Sequence, residues 1–135
     1  MTTETLTYGF ERTLGRVPFD EAIAKVTAAL QTEGFGVLAD IDVAATLRKK
    51  LDVDFRRYRI LGACNPRLAH TALSTEPQIG LLLPCNVVVQ ETPTGDVVVS
   101  IADPKAMFTL VENPALAPVA TEVDQRLRRV MKALG

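Results

Sequence analysis

Three times along this chain an Asn or Asp stands directly before a proline: Asn65-Pro66, Asp103-Pro104 and Asn113-Pro114. Each pair is a helix start written in two residues. The side-chain oxygen of the first caps free backbone N–H groups, and the proline takes the first helical position, where its missing N–H costs nothing. Pro18 suits the first turn of an earlier helix for the same reason. These points cut 135 residues into short alternating pieces and leave little freedom in where the helices begin.

The pieces between them have readable periods. Leu6, Tyr8 and Phe10 alternate with Thr7, Gly9 and Glu11, the period of a half-buried first strand. Phe19, Ala22, Ile23, Val26 and Leu30 follow at helical spacing until Gly34 stops the run. Residues 35–41 predict a second strand, and 42–51 a helix whose basic end, Arg48-Lys49-Lys50, suits the negative pole of its dipole. A third strand over 57–63 puts Tyr58, Ile60 and Gly62 on one face and Arg57 and Arg59 on the other, so that Cys64 continues the inward Tyr58 face. A helix is expected over 66–76. The run 79–90 is apolar on both faces and predicts a central fourth strand, with Pro84 at a bulge or an unpaired edge. Thr92-Pro93-Thr94-Gly95-Asp96 is a turn, and 97–101 returns as strand five. A short helix carries Met107 and Phe108. In the last helix Leu116, Val119, Val123, Leu127, Val130 and Leu134 form one apolar stripe.

A tight turn at Thr94-Gly95 makes the last strand pair an antiparallel hairpin. The expected fold class is therefore α+β, an antiparallel sheet with helices packed on one face and extra short helices between strands. The alternative is a parallel α/β layer. Residues 1–6 are expected as a disordered lead and 7–135 as a single domain.

Fifteen basic residues against sixteen acidic ones leave no overall field for a nucleic-acid backbone or an anionic membrane surface. The polar start, Met1-Thr2-Thr3-Glu4-Thr5, has no secretory pattern, and no apolar run reaches the roughly 20 residues of a membrane span. A cytoplasmic protein is expected, in which both cysteines stay reduced.

Reactive groups are few: two cysteines and one histidine. They fall in Gly62-Ala63-Cys64-Asn65-Pro66, with His70 just behind, and in Leu83-Pro84-Cys85-Asn86. Strands three and four are sequential and should be neighbours, which brings the two motifs to one rim of the sheet. Cys64 precedes a helix N-terminus, whose dipole favours a thiolate, whereas apolar burial opposes one. Each cysteine alone also fits a plain core position. His70, one turn into the same helix, can fold back toward Cys64. Asn65 reads as a helix cap. Asn86, an amide inside an apolar strand, needs a partner, whether a bulge, a loop or a ligand. Gly-rich phosphate loops, paired CxxC motifs and nucleophile elbows are absent from the sequence. Cys64, Cys85 and His70 are too few for a typical zinc site. Joined by Met107, they would suit a soft ion such as Cu(I).

Ala63-Cys64-Asn65-Pro66-Arg67-Leu68-Ala69-His70, the run 79–89 with Pro84-Cys85-Asn86, and Ile101-Ala102-Asp103-Pro104 with Met107 resemble the bacterial and archaeal domain-of-unknown-function family 302. The resemblance runs from about Tyr8 to the C-terminal helix. It implies a helix-grip arrangement of the TATA-binding-protein class (strand, helix, four strands, helix) and frequent dimers. It implies no reaction. The family's motif residues fall here on Cys64, Asn65, Pro66, His70, Pro84, Cys85 and Asn86.

Two functional readings follow. One is a non-enzymatic binding module, with Cys64, Asn65, His70, Cys85, Asn86 and Met107 as candidate ligand-binding residues and Cys64, Cys85 and His70 as candidate ligands for a soft metal. The other is a thiol enzyme or redox protein using Cys64 or Cys85 with His70 as base. A homodimer is expected, since surplus apolar surface and an open sheet edge both need cover.

Overall fold

A computed structural model of the chain describes residues 3–135. Six strands form one antiparallel sheet in the order β1-β2-β6-β5-β4-β3. They are β1 (Thr3–Thr5), β2 (Gly9–Gly15), β3 (Gly36–Asp42), β4 (Tyr58–Cys64), β5 (Cys85–Glu91) and β6 (Val97–Ala102). The helices are α1 (Phe19–Thr32), α2 (Val43–Leu51), α3 (Pro66–Thr75), α4 (Pro104–Thr109) and α5 (Ala117–Ala133). Helices pack over one face of the sheet, which is the α+β arrangement that the hairpin turn favours.

Each Asx-Pro pair acts as its chemistry requires. Asn65 accepts from the Leu68 N–H, Asp103 from those of Lys105 and Ala106, and Asn113 from that of Ala115. The third pair opens a 3₁₀ turn, Pro114–Leu116, that runs straight into α5. Pro18 stands just outside α1, whose first turn is closed by the Ala22 N–H donating to the Pro18 carbonyl at 3.0 Å. The stripe from Leu116 to Leu134 is buried as a whole. At roughly 1.5–3 kcal/mol per large apolar side chain, it fixes α5 to the sheet. No helix of the described residues is long and apolar enough to cross a membrane.

Four expectations need correction. Thr3–Thr5 of the expected lead form edge strand β1, paired with β2, while Met1 and Thr2 lie outside the described residues. The first alternating run is broken by a turn in which the Leu6 N–H donates to the Gly9 carbonyl at 2.7 Å, so Tyr8 is 64% exposed while Phe10 is fully buried. Residues 77–82 form a 3₁₀ helix, and the strand starts only at Cys85. An apolar run does not by itself distinguish helix from strand; here Pro77 favours the turn and Pro84, lacking an N–H, blocks the ladder before Cys85.

The fourth correction reverses a face. On β4 the core side is Leu61 and Ala63, each 1% exposed, and not the side of Tyr58 and Ile60. Arg57 and Arg59 share the core side at the outer end of the strand. Arg59 lies beside Asp40 of β3, with its Nε donating at 2.7 Å, and the Arg57 guanidinium lies 6.0 Å over the Phe19 ring. Long basic side chains can thus continue an apolar face to its rim and keep their charges at the edge.

Candidate functional site

Where β4 ends and β5 begins, the two cysteine motifs meet. The strands are paired so that Ala63 faces Cys85 and Gly62 faces Asn86. Cys64 is the last residue of β4, and Asn65 turns the chain into α3. The Asn65 carboxamide does two further jobs: its Nδ2 donates to the Glu33 carbonyl at 3.3 Å, beside an Arg126 Nη1 that donates to the same oxygen at 3.0 Å. That knot ties the end of α1 to α3 and α5. Gly34 makes it possible, since its φ of +84° suits glycine and an added Cβ would lie 2.9 Å from the Asn65 Nδ2. On β4, Gly62 leaves room for Pro84 to lie on the sheet; a Cβ there would meet the proline Cγ at 2.8 Å.

Between this rim, α3, the 77–82 turn and α5 lies a half-open cavity of about 390 Å³. Phe35, Ala63, Ala72, Phe108, Val119 and Val123 line it from the core, and Leu38, Ala39 and Leu73 from the mouth. None of the described residues in its wall is charged. The only polar residues among those described in its wall are Asn65, already engaged in capping, and the two cysteines, Cys64 and Cys85. Both cysteines are free thiols. Burial, and then the neighbouring Cys64, push the Cys85 thiol up to about 11, so it is neutral at ordinary pH. Such a wall favours an uncharged apolar molecule and penalises any anion buried without a partner.

The family model for a domain of unknown function, DUF302, matches residues 10–134. The chain belongs to the DUF302 family. A crystal structure of an uncharacterized conserved DUF302 protein from Bacillus stearothermophilus is similar over 96% of this chain and all of that one, at 27% identity and a TM-score of 0.87. No curated protein matches the chain.

Among the candidate residues of this DUF302 domain, Cys64, Asn65 and Cys85 line the cavity together. Asn86 and Met107 line a second cavity, of about 200 Å³, that shares Leu83, Pro84, Cys85 and Phe108 with the first. His70 is exposed on α3 and lines neither. The fold thus separates the histidine from the cysteines: its helical position turns it to water, and Leu68, Ala69 and Ala72 take the inward stripe. Among the described residues no group of three or more His, Cys, Asp or Glu is placed to hold a metal ion. Asn86 is also exposed, so its amide lies open to solvent and is not the buried group that was expected to need a partner. Sequence reasoning missed the helical side of the wall. Its signal was present as a stripe of Leu68, Ala69, Ala72 and Leu73, whose two alanines leave the space a larger residue would fill.

Proposed function

We propose that this DUF302 protein is a non-enzymatic binding module for a neutral, apolar small molecule, held in the cavity between β4, α3 and α5. What carries this reading is the wall itself: about 390 Å³ of space, in the range of small-molecule sites, with no charged group to greet an anion or a cation. A thiol enzyme would need Cys64 or Cys85 activated by a base. His70, the base expected for it, is exposed outside the cavity, and Cys85 is held neutral by burial. The module is proposed to work in the cytoplasm as a homodimer. Leu38 and Ile41 on edge strand β3, with Leu51, Val53 and Phe55 beyond it, are the exposed apolar residues that a second copy would cover.

Binding of the neutral fluorophore N-phenyl-1-naphthylamine tests the cavity reading. Saturable binding, with fluorescence enhancement, is expected for the wild type. Ala69→Trp, which fills the cavity from α3, is expected to weaken it at least about tenfold, or 1.4 kcal/mol, with the circular dichroism spectrum unchanged. No binding by the wild type, or equal binding by a folded Ala69→Trp, would overturn the reading.

A further inference from the structure

The cavity proposed to hold a neutral guest has two neighbours, and one side chain stands in the walls of all three. We propose, resting on the apolar-guest reading, that Phe108 is the specificity-determining residue of the site. It closes the inner end of the cavity and so limits the length of the chain that fits.

The local sequence places the ring. Asp103 caps α4 by accepting from the Lys105 and Ala106 N–H groups, and the Val111 N–H closes the far end on the Phe108 carbonyl at 3.1 Å. In this six-residue helix Pro104 and Phe108 are the buried residues, four positions apart and therefore on one face. The helix packs against α5, and Phe108 is only 8% exposed.

Phe108 is the only described residue common to the three walls. The second cavity also shares Leu83, Pro84 and Cys85 with the first. The third, of about 270 Å³, has an apolar floor of Leu116, Ala117 and Ala120 and shares Phe108 alone. Truncating Phe108 therefore opens the first cavity most directly toward the third, while three residues still stand between the first and the second.

The mouth lies at Leu38, Ala39 and Leu73, and Phe108 on the core side. A chain with a neutral polar end keeps that end at the mouth, in water, and sends its tail inward. Each methylene that finds room improves affinity roughly fourfold. Once the tail reaches the ring, further carbons must overpack the core or stay in water, and the gain stops.

Competition of 1-alkanols, from hexanol to tetradecanol, against N-phenyl-1-naphthylamine on the full chain is the test. For the wild type, affinity should rise with each carbon and then level off at one chain length. Phe108→Ala should move that limit by at least two carbons, so that an alcohol two carbons beyond the wild-type limit gains at least about tenfold. Phe108→Leu, a milder change, should move the limit in the same direction, with fold checked by circular dichroism. Phe19→Leu alters a similarly buried phenylalanine outside all three walls and should keep the wild-type limit. A wild-type profile without a limit, a limit unmoved in either folded Phe108 variant, or one moved equally by Phe19→Leu would overturn the role of Phe108 and leave the cavity reading standing. Failure of both Phe108 variants to fold would also overturn it, since the ring would then be a prop of the core. Absence of alcohol binding by the wild type would overturn the cavity reading, and this role with it.

Discussion

Cys85 opens β5 with its thiol in an apolar wall, and burial raises its pKa from 9.0 to about 11. The raised value means that the folded protein binds this proton more tightly than the unfolded chain does. Its contribution to stability is full below pH 9 and is lost as the pH rises through about 11. Two units correspond to about 2–3 kcal/mol. Denaturant titrations at pH 8 and at about pH 11 should therefore show a larger loss for the wild type than for Cys85→Ala, because the variant has no thiol to ionise. Equal losses would mean that the thiol is not buried as described. Asn65 makes a second residue-scale case. Asn65→Ala removes the α3 cap and the bond to the Glu33 carbonyl, and should cost about 1–2 kcal/mol in urea unfolding. A change under a few tenths would show that the α1–α3 knot carries little.

At the scale of elements, the β4–β5 rim holds together because Gly62 allows Pro84 to lie flat against the sheet. Gly62→Ala places a methyl 2.8 Å from the proline Cγ, and a ring cannot swing aside as a flexible chain end can. The variant should lose about 1–3 kcal/mol by thermal or chemical unfolding; a neutral substitution would show that the proline segment moves freely. Much of this layer was legible in sequence, since Asx-Pro pairs fix helix starts by local bonds and the α5 stripe has one period. What sequence left open was decided by tertiary pairing. The face of β4 was misread because Arg57 and Arg59 looked like an outer surface, yet they complete the core side at its rim. Residues 79–83 were misread because an apolar run carries no period of its own. The meeting of Cys64 and Cys85 was foreseeable from adjacent strands, whereas the outward turn of His70 depended on how α3 rolls against the sheet.

At the scale of the whole molecule, one core cluster joins the sheet to α1, α3, α4 and α5, whereas α2 buries none of its residues. With β3 at the sheet edge, that side leaves Leu38 74% and Leu51 66% exposed. A homodimer should appear in sedimentation at micromolar concentration as twice the 14.7 kDa chain mass, and Leu38→Lys with Leu51→Lys should shift it toward monomer. A single species of 14.7 kDa for the wild type would reject the dimer. The cavity, whose mouth includes Leu38 and Ala39 of β3, carries the central claim, that its wall selects a neutral apolar guest. Calorimetric titration with 1-decanol beside decanoate at pH 8 tests it most directly. The alcohol should bind with a negative heat-capacity change, as burial of apolar surface requires, and the carboxylate should bind at least about tenfold more weakly, a difference of 1.4 kcal/mol. Decanoate binding as tightly as the alcohol, or neither binding, would contradict the account.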